Sequence, residues 1–349
     1  MGAVVPSASA RPATFDAALA LLRAWADERR AAAPEAPVLD ILRVAEALEI
    51  AWPVACALRG ALPEAAAAML IDPILAQERA RAERVAEQAR EAAEALAGAG
   101  LSAIALKGAA FLADAGGAPV PWRRLVDLDL LVDADALPRA VRALEEVGYA
   151  AADPEAYVPT DYHFPALTPA RPGVAIELHT RMDWRRHGPM MRALEGARAS
   201  ALPGLRVLAP DDRLAHLVRH AQVSDRGWPR RRVRLREALD WRRLLEAGAT
   251  LEGARRRMDG GAERAAFDGY AALMGRIWED PSVPARAASR AWAQDALAAA
   301  ADPELAARRD RADFGRGWWD AMTTWETLVH GLRAMLNPAR LRRIVRNRT

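Results

Sequence analysis

Two short segments alternate apolar residues with acidic ones at a period of two, and this restricts the fold more than anything else in the chain. The first is Val126-Asp127-Leu128-Asp129-Leu130-Leu131-Val132. The second is Val174-Ala175-Ile176-Glu177-Leu178-His179. Alternate side chains of a strand share a face. Asp127 and Asp129 therefore point one way, while Val126, Leu128 and Leu130 point to the buried side. In the second segment Glu177 and His179 share a face opposite Val174, Ile176 and Leu178. Carboxylates gathered on a half-buried face repel one another and resist desolvation. A divalent cation removes that penalty, and Mg²⁺ is commonly held by a few carboxylates together with substrate phosphates. If the two strands are neighbours, Asp127, Asp129 and Glu177 converge as a two-metal phosphoryl-transfer site would require.

Around these strands the hydrophobic period changes twice. Residues 1–98 read as an N-terminal helical region, with Leu21, Leu22 and Trp25, then Leu39, Ile41, Leu42, Val44 and Leu48, at helical spacing. Its stretch Glu64 to Ala97 is nearly free of helix breakers apart from Pro73, and the later part, a run of Ala, Arg and Glu, reads as a long exposed helix closed by Gly98 and Gly100. Residues 99–209 read as a mixed α/β core. Strands are expected at Leu101–Leu106, Leu125–Val132, Tyr162–Leu167, Val174–His179 and Leu205–Leu208, with a helix from Asp135 to Val147. Residues 210–338 read as a C-terminal helical domain, with Asp211 and Asp212 capping its first helix and a last helix from Trp318 to Leu336. Residues 339–349 form a basic tail. The expected fold class is α/β (α+β), a small mixed sheet flanked by helical regions.

The 349 residues suffice for more than one core. A hydrophobic share of 52% and a net charge of only +3 describe a folded chain with no bulk electrostatic argument for nucleic acid. The single cysteine, Cys56, excludes an internal disulfide and a cysteine-rich zinc site, and its apolar setting reads as a structural thiol. No apolar run reaches the length of a membrane span, and the segment Met1 to Thr14 lacks the apolar core of a signal peptide. A cytoplasmic location is expected.

Lysine occurs once, although lysine and arginine together number 49. Lys107 falls in Ile104-Ala105-Leu106-Lys107-Gly108-Ala109-Ala110, between a strand and a glycine turn that opens a helix. A compact ammonium acts as a point charge, unlike the planar guanidinium, and phosphate sites use it that way. Backbone N–H groups of the Gly108 turn would add to a phosphate cradle.

Taken together, Leu106-Lys107-Gly108, Arg123/Arg124, Asp127-Leu128-Asp129-Leu130-Leu131-Val132, His163, Ile176-Glu177-Leu178-His179, the run from Leu208 to His220 and Asp240 resemble the uncharacterised nucleotidyltransferase family of the polymerase-β-like superfamily. The resemblance spans roughly residues 100 to 245. It implies a nucleotidyltransferase core in which Asp127, Asp129 and Glu177 are the catalytic carboxylates and hold Mg²⁺ or Mn²⁺. Lys107, Gly108, Arg123, Arg124, His163 and His179 are expected on the nucleotide side. A nucleoside triphosphate, ATP first, would give its nucleoside monophosphate to an unknown acceptor: a small molecule, a peptide or a protein. Members of the family often occur beside peptide-modifying genes, including those for lasso peptides, so peptide natural-product biosynthesis is an expected setting. Ala109 stands where the wider superfamily has glycine or serine.

Two rival readings accompany this one. The first is an inactive or weakly active scaffold of the same fold, favoured modestly by Ala109. The second is an RNA-directed transferase or toxin–antitoxin component, drawn from Arg226, Arg230, Arg231, Arg232, Arg234 and Arg236 and from the arginines of the tail. Nucleic acid is the less favoured partner, since arginine runs are more often solvated faces. His216 and His220, one helical turn apart, read as packing or capping residues or as part of a cleft wall.

Overall fold

The computed structural model describes residues 11–154, 163–182, 195–302 and 304–313. The helix expected from Trp318 to Leu336, the basic tail, the first ten residues and the start of the strand expected at Tyr162 lie outside them.

The chain opens with α1 (Arg11–Ala26), α2 (Val38–Ala47), α3 (Ala51–Ala61), α4 (Glu64–Leu70) and α5 (Asp72–Gly98). The α/β part comes next as β1 (Ala103–Ala105), α6 (Lys107–Asp114), β2 (Asp127–Leu131), α7 (Leu137–Glu146), β3 (Tyr149–Ala151), β4 (Leu167–Pro169), β5 (Ala175–His179), β6 (Arg198–Ala199) and β7 (Leu205–Val207). The helices after the sheet are α8 (Pro210–Val218), α9 (Gly227–Arg230), α10 (Leu235–Glu246), α11 (Leu251–Arg256), α12 (Gly260–Ile277) and α13 (Ala287–Ala301). A π-helical turn, Arg219–Ser224, continues α8.

The seven strands form one mixed sheet in the order β3-β4-β5-β2-β1-β7-β6. β2 sits near its middle, antiparallel to β1 and parallel to β5. One face is apolar. Leu128, Leu130, Ile176 and Leu178 pack there on Val85, Ala89, Ala93 and Leu96 of α5 and on Ala109, Leu112 and Ala113 of α6. The other face carries the acidic residues and a small apolar patch of Ile104, Leu106, Leu131, Met182, Ala197 and Leu208. The pleat that alternates apolar and acidic residues is thus what separates core from site.

Several elements differ from the sequence expectation. Val126 is 45% exposed, because β2 begins one residue later, at Asp127, and the chain has not yet entered the sheet. The stretch Glu64 to Ala97 is two helices that break at Ile71, with Pro73 in the first turn of α5, where a missing N–H costs nothing. Nor is α5 exposed throughout. Its alanines form a buried stripe at 86, 89, 92 and 93, small enough for the helix to lie close on the sheet. Asp211 and Asp212 make no capping hydrogen bond. Asp211 instead accepts from the Thr250 N–H at 2.6 Å, and Asp212 pairs with Arg257. In place of a full strand before Leu167, His163 makes a single bridge with His179.

The helices at the two ends of the described chain share one apolar core. Leu22, Ile41, Val54 and Leu58 of α1–α3 bury against the same cluster as Leu214, Leu239, Trp241, Phe267 and Tyr270. Trp241 anchors it, with ring centroids 5.9 Å from Phe267 and 5.7 Å from Tyr270, separations at which aromatic pairs attract beyond their burial. The fold is therefore a mixed sheet with helices on its flanks, and both helical ends bear on each other beside it. Among the described residues no helix is long and apolar enough to cross a membrane.

Candidate active site

The site is built on β2 and β5. Their parallel register sets Asp129 opposite Glu177, Asp127 opposite Ala175 and Leu131 opposite His179. The pleat then brings Asp127, Asp129, Glu177 and His179 to one face. Asp129 and His179 are each about 1% exposed, and Asp127 and Glu177 are half-buried. His179 Nε2 lies 2.9 Å from Asp129 Oδ1 and 3.6 Å from Glu177 Oε2. One donor atom from each of Asp129, Glu177 and His179 falls within 4.8 Å of the others, so these three residues could hold a metal ion. Asp127 is beside this set rather than inside it.

Lys107 comes from the other neighbour of β2. The Leu106 N–H donates to the Asp129 carbonyl at 3.0 Å, which fixes the end of β1 against β2. The next residue, Lys107, has φ of +46°, a left-handed conformation that costs a non-glycine residue roughly 1–2 kcal/mol. From there its ammonium donates to Asp129 Oδ1 at 2.7 Å. Gly108 is closely packed: a Cβ there would lie 2.1 Å from Leu125 Cδ2 and 3.5 Å from the Arg123 guanidinium carbon, so the Leu125 side chain would have to shift. The glycine lets α6 start directly over that layer.

Electrostatics couple these groups. Burial by itself would raise Asp129, but the hydrogen bond from His179 and the charge of Lys107 outweigh it and hold the carboxyl well below the usual range. Asp127 goes the other way, raised by burial and by the neighbouring Asp129 charge against the pull of Lys107. The hydrogen bond from His179 lowers Glu177 against its burial. His179 and Lys107 are both raised, since the carboxylates more than offset their desolvation. The face thus packs three acids against two cations, and Asp127 is the carboxylate with least compensation.

The remaining sequence candidates are placed differently. Arg123 is buried and its guanidinium is taken up by Asp240: its Nε donates to Oδ1 at 2.7 Å and Oδ2 at 2.9 Å. Arg124 pairs with Glu46 of α2. These two arginines tie the loop before β2 to α10 and α2. His163 keeps its ring 5.6 Å from that of His179, with Nδ1 2.9 Å from the Phe164 carbonyl oxygen.

His216 and His220 belong to the surroundings of the site. Arg213 of α8 sits 4.5 Å from the centre of the Phe111 ring and pairs with Asp114 at the end of α6. One and two turns further on, α8 and its π-helical extension carry His216 and His220, close enough for the charge of Lys107 to act on both. Their rings meet edge to face at 6.2 Å. Burial pulls both imidazoles down to about 3, with the neighbouring His220 and then Lys107 adding to it for His216 and the Lys107 charge for His220, which favours the neutral form of both. A π-turn inserts a residue into the helical repeat and re-aims the side chains beyond it, and such turns recur at functional sites. The i, i+4 spacing was the sequence signal for this pair. For Asp240 as partner of Arg123 there was none, because 117 residues separate them.

The donor set of two carboxylates and an imidazole suits a divalent ion, and the strand–lysine–glycine–helix connection beside it suits a phosphate. No curated protein and no solved structure matches the chain. The sequence model of the uncharacterised nucleotidyltransferase family matches residues 34–258. The match takes in the whole sheet and reaches back into the N-terminal helices, well before residue 100. Since it covers more than half of the chain, with the acidic strands at its centre, this protein belongs to the uncharacterised nucleotidyltransferase family.

Proposed function

We propose that the protein is a divalent-ion-dependent nucleotidyltransferase that moves a nucleoside monophosphate from a nucleoside triphosphate, ATP first, to a hydroxyl, phosphate, amine or carboxylate acceptor. The reading is carried by the register of β2 on β5, which sets Asp129 against Glu177 on the face that bears Asp127. A bound divalent ion would supply Lewis-acid polarisation of the phosphate oxygens. Asp129 and Glu177 would hold it, with Asp127 completing the carboxylate set. Asp127 gains most from a cation, because its anionic form is the one most disfavoured by its surroundings.

Lys107 would have two tasks. Its charge favours the ionised form of Asp129 in a buried setting, and its ammonium would meet a triphosphate that approaches that carboxylate. The first turn of α6 has N–H groups with no partner inside the helix, and these suit phosphate oxygens. His216, buried, and His220, half-buried, would stand near the phosphates as neutral groups, without charge that competes for them.

The test is transfer of label from ATP carrying its radioactive phosphorus at the α position, with a divalent ion and fractionated cell extract as the acceptor source. Label should move to an acceptor with wild type and not with Asp129→Asn. Transfer of γ-labelled phosphate instead would make the protein a kinase and overturn the reading.

A further inference from the structure

We propose that His179 is a direct ligand of the ion held by Asp129 and Glu177, and that the site therefore selects a first-row transition ion such as Mn²⁺ over Mg²⁺. This rests on the metal-dependent reading above, but not on the transfer reaction itself.

The pleat sets the geometry. Glu177 and His179 are two residues apart on β5 and share a face, and the register adds Asp129 from β2. Ligands about 2.2 Å from a six-coordinate ion lie about 3.1 Å apart when adjacent and about 4.4 Å apart when opposite. His179 Nε2 is 2.9 Å from the Asp129 oxygen and 3.6 Å from the Glu177 oxygen. All three donor atoms fit inside 4.8 Å. That span is what three ligands of a single coordination sphere require.

An imidazole that merely oriented one carboxylate would aim at a single oxygen on the far side from the ion. Here the same Nε2 lies between carboxylates from two different strands, and a bound ion would take the place of the proton it now shares with Asp129. Asp127, by contrast, lies outside the set whose donor atoms fall within 4.8 Å of one another. The donors nearest one another are thus two oxygens and a nitrogen, not three oxygens.

The nitrogen discriminates between ions. Mg²⁺ takes oxygen ligands in near-ideal octahedra and gives up its waters reluctantly. Transition ions accept imidazole readily, and their affinity for mixed nitrogen and oxygen sites rises from Mn²⁺ along the first row. A buried nitrogen at a ligand position therefore disfavours Mg²⁺ relative to Mn²⁺.

Mn²⁺ alone, without nucleotide, is the probe. Electron spin-echo envelope modulation of Mn²⁺ bound to the full chain should show a directly coordinated ¹⁴N nucleus. Histidine labelled with ¹⁵N should replace that signal by the ¹⁵N pattern, which needs no variant. His179→Gln should abolish the nitrogen coupling, and Asp129→Asn should abolish binding. Mn²⁺ should bind at least tenfold more tightly than Mg²⁺ in competition titrations. Should His179→Gln fail to fold, variants of His163, His216 and His220 provide the second check: each should keep the coupling. Bound Mn²⁺ without nitrogen coupling, coupling that disappears with His163, His216 or His220, or equal affinity for the two ions overturns the proposal and leaves the transfer reading standing. No Mn²⁺ binding by the wild type without nucleotide would also overturn the proposal, while the transfer reading would still be decided by the label assay.

Discussion

Lys107 donates to Asp129 Oδ1 at 2.7 Å across the β1–β2 pair, from a backbone conformation that lysine does not favour. A strained residue held in place by its surroundings points to a use for that placement. Lys107→Ala should weaken binding of ATP by about tenfold or more while leaving adenosine binding nearly unchanged. Lys107→Arg should be partly defective, because a planar fork replaces a point charge beside an Asp129 oxygen that His179 also approaches. Calorimetric titration of both ligands into the three proteins measures this. Equal ATP affinity in all three would remove Lys107 from the phosphate site.

Asp129 and Glu177 should separate in their effects on stability while agreeing in their effects on transfer. Asp129 is buried and accepts from two cations, so Asp129→Asn leaves Lys107 and His179 without their anion. Hydrogen bonds to charged groups contribute about 1.5–3 kcal/mol each, and a loss of about that size is expected. The Glu177 side chain is 27% exposed, and Glu177→Gln should stay within about 1 kcal/mol of wild type. Both should abolish label transfer from the α phosphate. Urea unfolding beside the transfer assay gives both numbers.

The buried Arg123–Asp240 pair should be structural. Removing one partner leaves the other charge uncompensated, which costs about 3–5 kcal/mol. Arg123→Met and Asp240→Leu should each destabilise by about that much. The double variant should recover a large part of the loss. Additive losses in denaturant titrations would mean that the two side chains act independently.

Much of this site was legible in the sequence, for a physical reason. A strand buried on one side must alternate, so Asp127, Asp129, Glu177 and His179 could be assigned to a face before their strands were assigned to a sheet. The period-two signal is local. What it cannot carry is the backbone of Lys107, since a positive φ at a residue other than glycine is imposed by its neighbours. Nor can it show that Arg123, a good phosphate candidate by type, has its guanidinium occupied by Asp240. The alanine run of α5 looked solvent-facing because alanine is weakly hydrophobic, and only the nearness of the sheet makes it a packing stripe. The shared core of α1–α3 with the helices after the sheet escaped for a similar reason, since helical periodicity says which residues are buried but not against what.

Glu237 gives a pH dependence. It is fully buried, and desolvation raises its carboxyl to about 7, against the pull of Arg234 and Arg236. A raised acid contributes stability that is complete below its ordinary value of 4.5 and is lost as pH rises through about 7. The wild type should therefore lose stability as the pH is raised across this window, at a slope of about 1.4 kcal/mol per pH unit at most. Glu237→Gln should flatten that slope. Parallel slopes in the two proteins, measured by urea unfolding across the range, would contradict the assignment.

The most direct test of the central claim is a crystal structure with Mn²⁺ and an ATP analogue that cannot be cleaved between its α and β phosphorus atoms. An anomalous peak for Mn²⁺ should appear on the acidic face between Asp129 and Glu177, with Asp127 beside it. The α phosphate should meet that ion, and Lys107 and the first turn of α6 should meet the phosphates beyond it. Mn²⁺ and nucleotide bound away from this face, with Asp129 still held by Lys107 and His179 alone, would contradict the account.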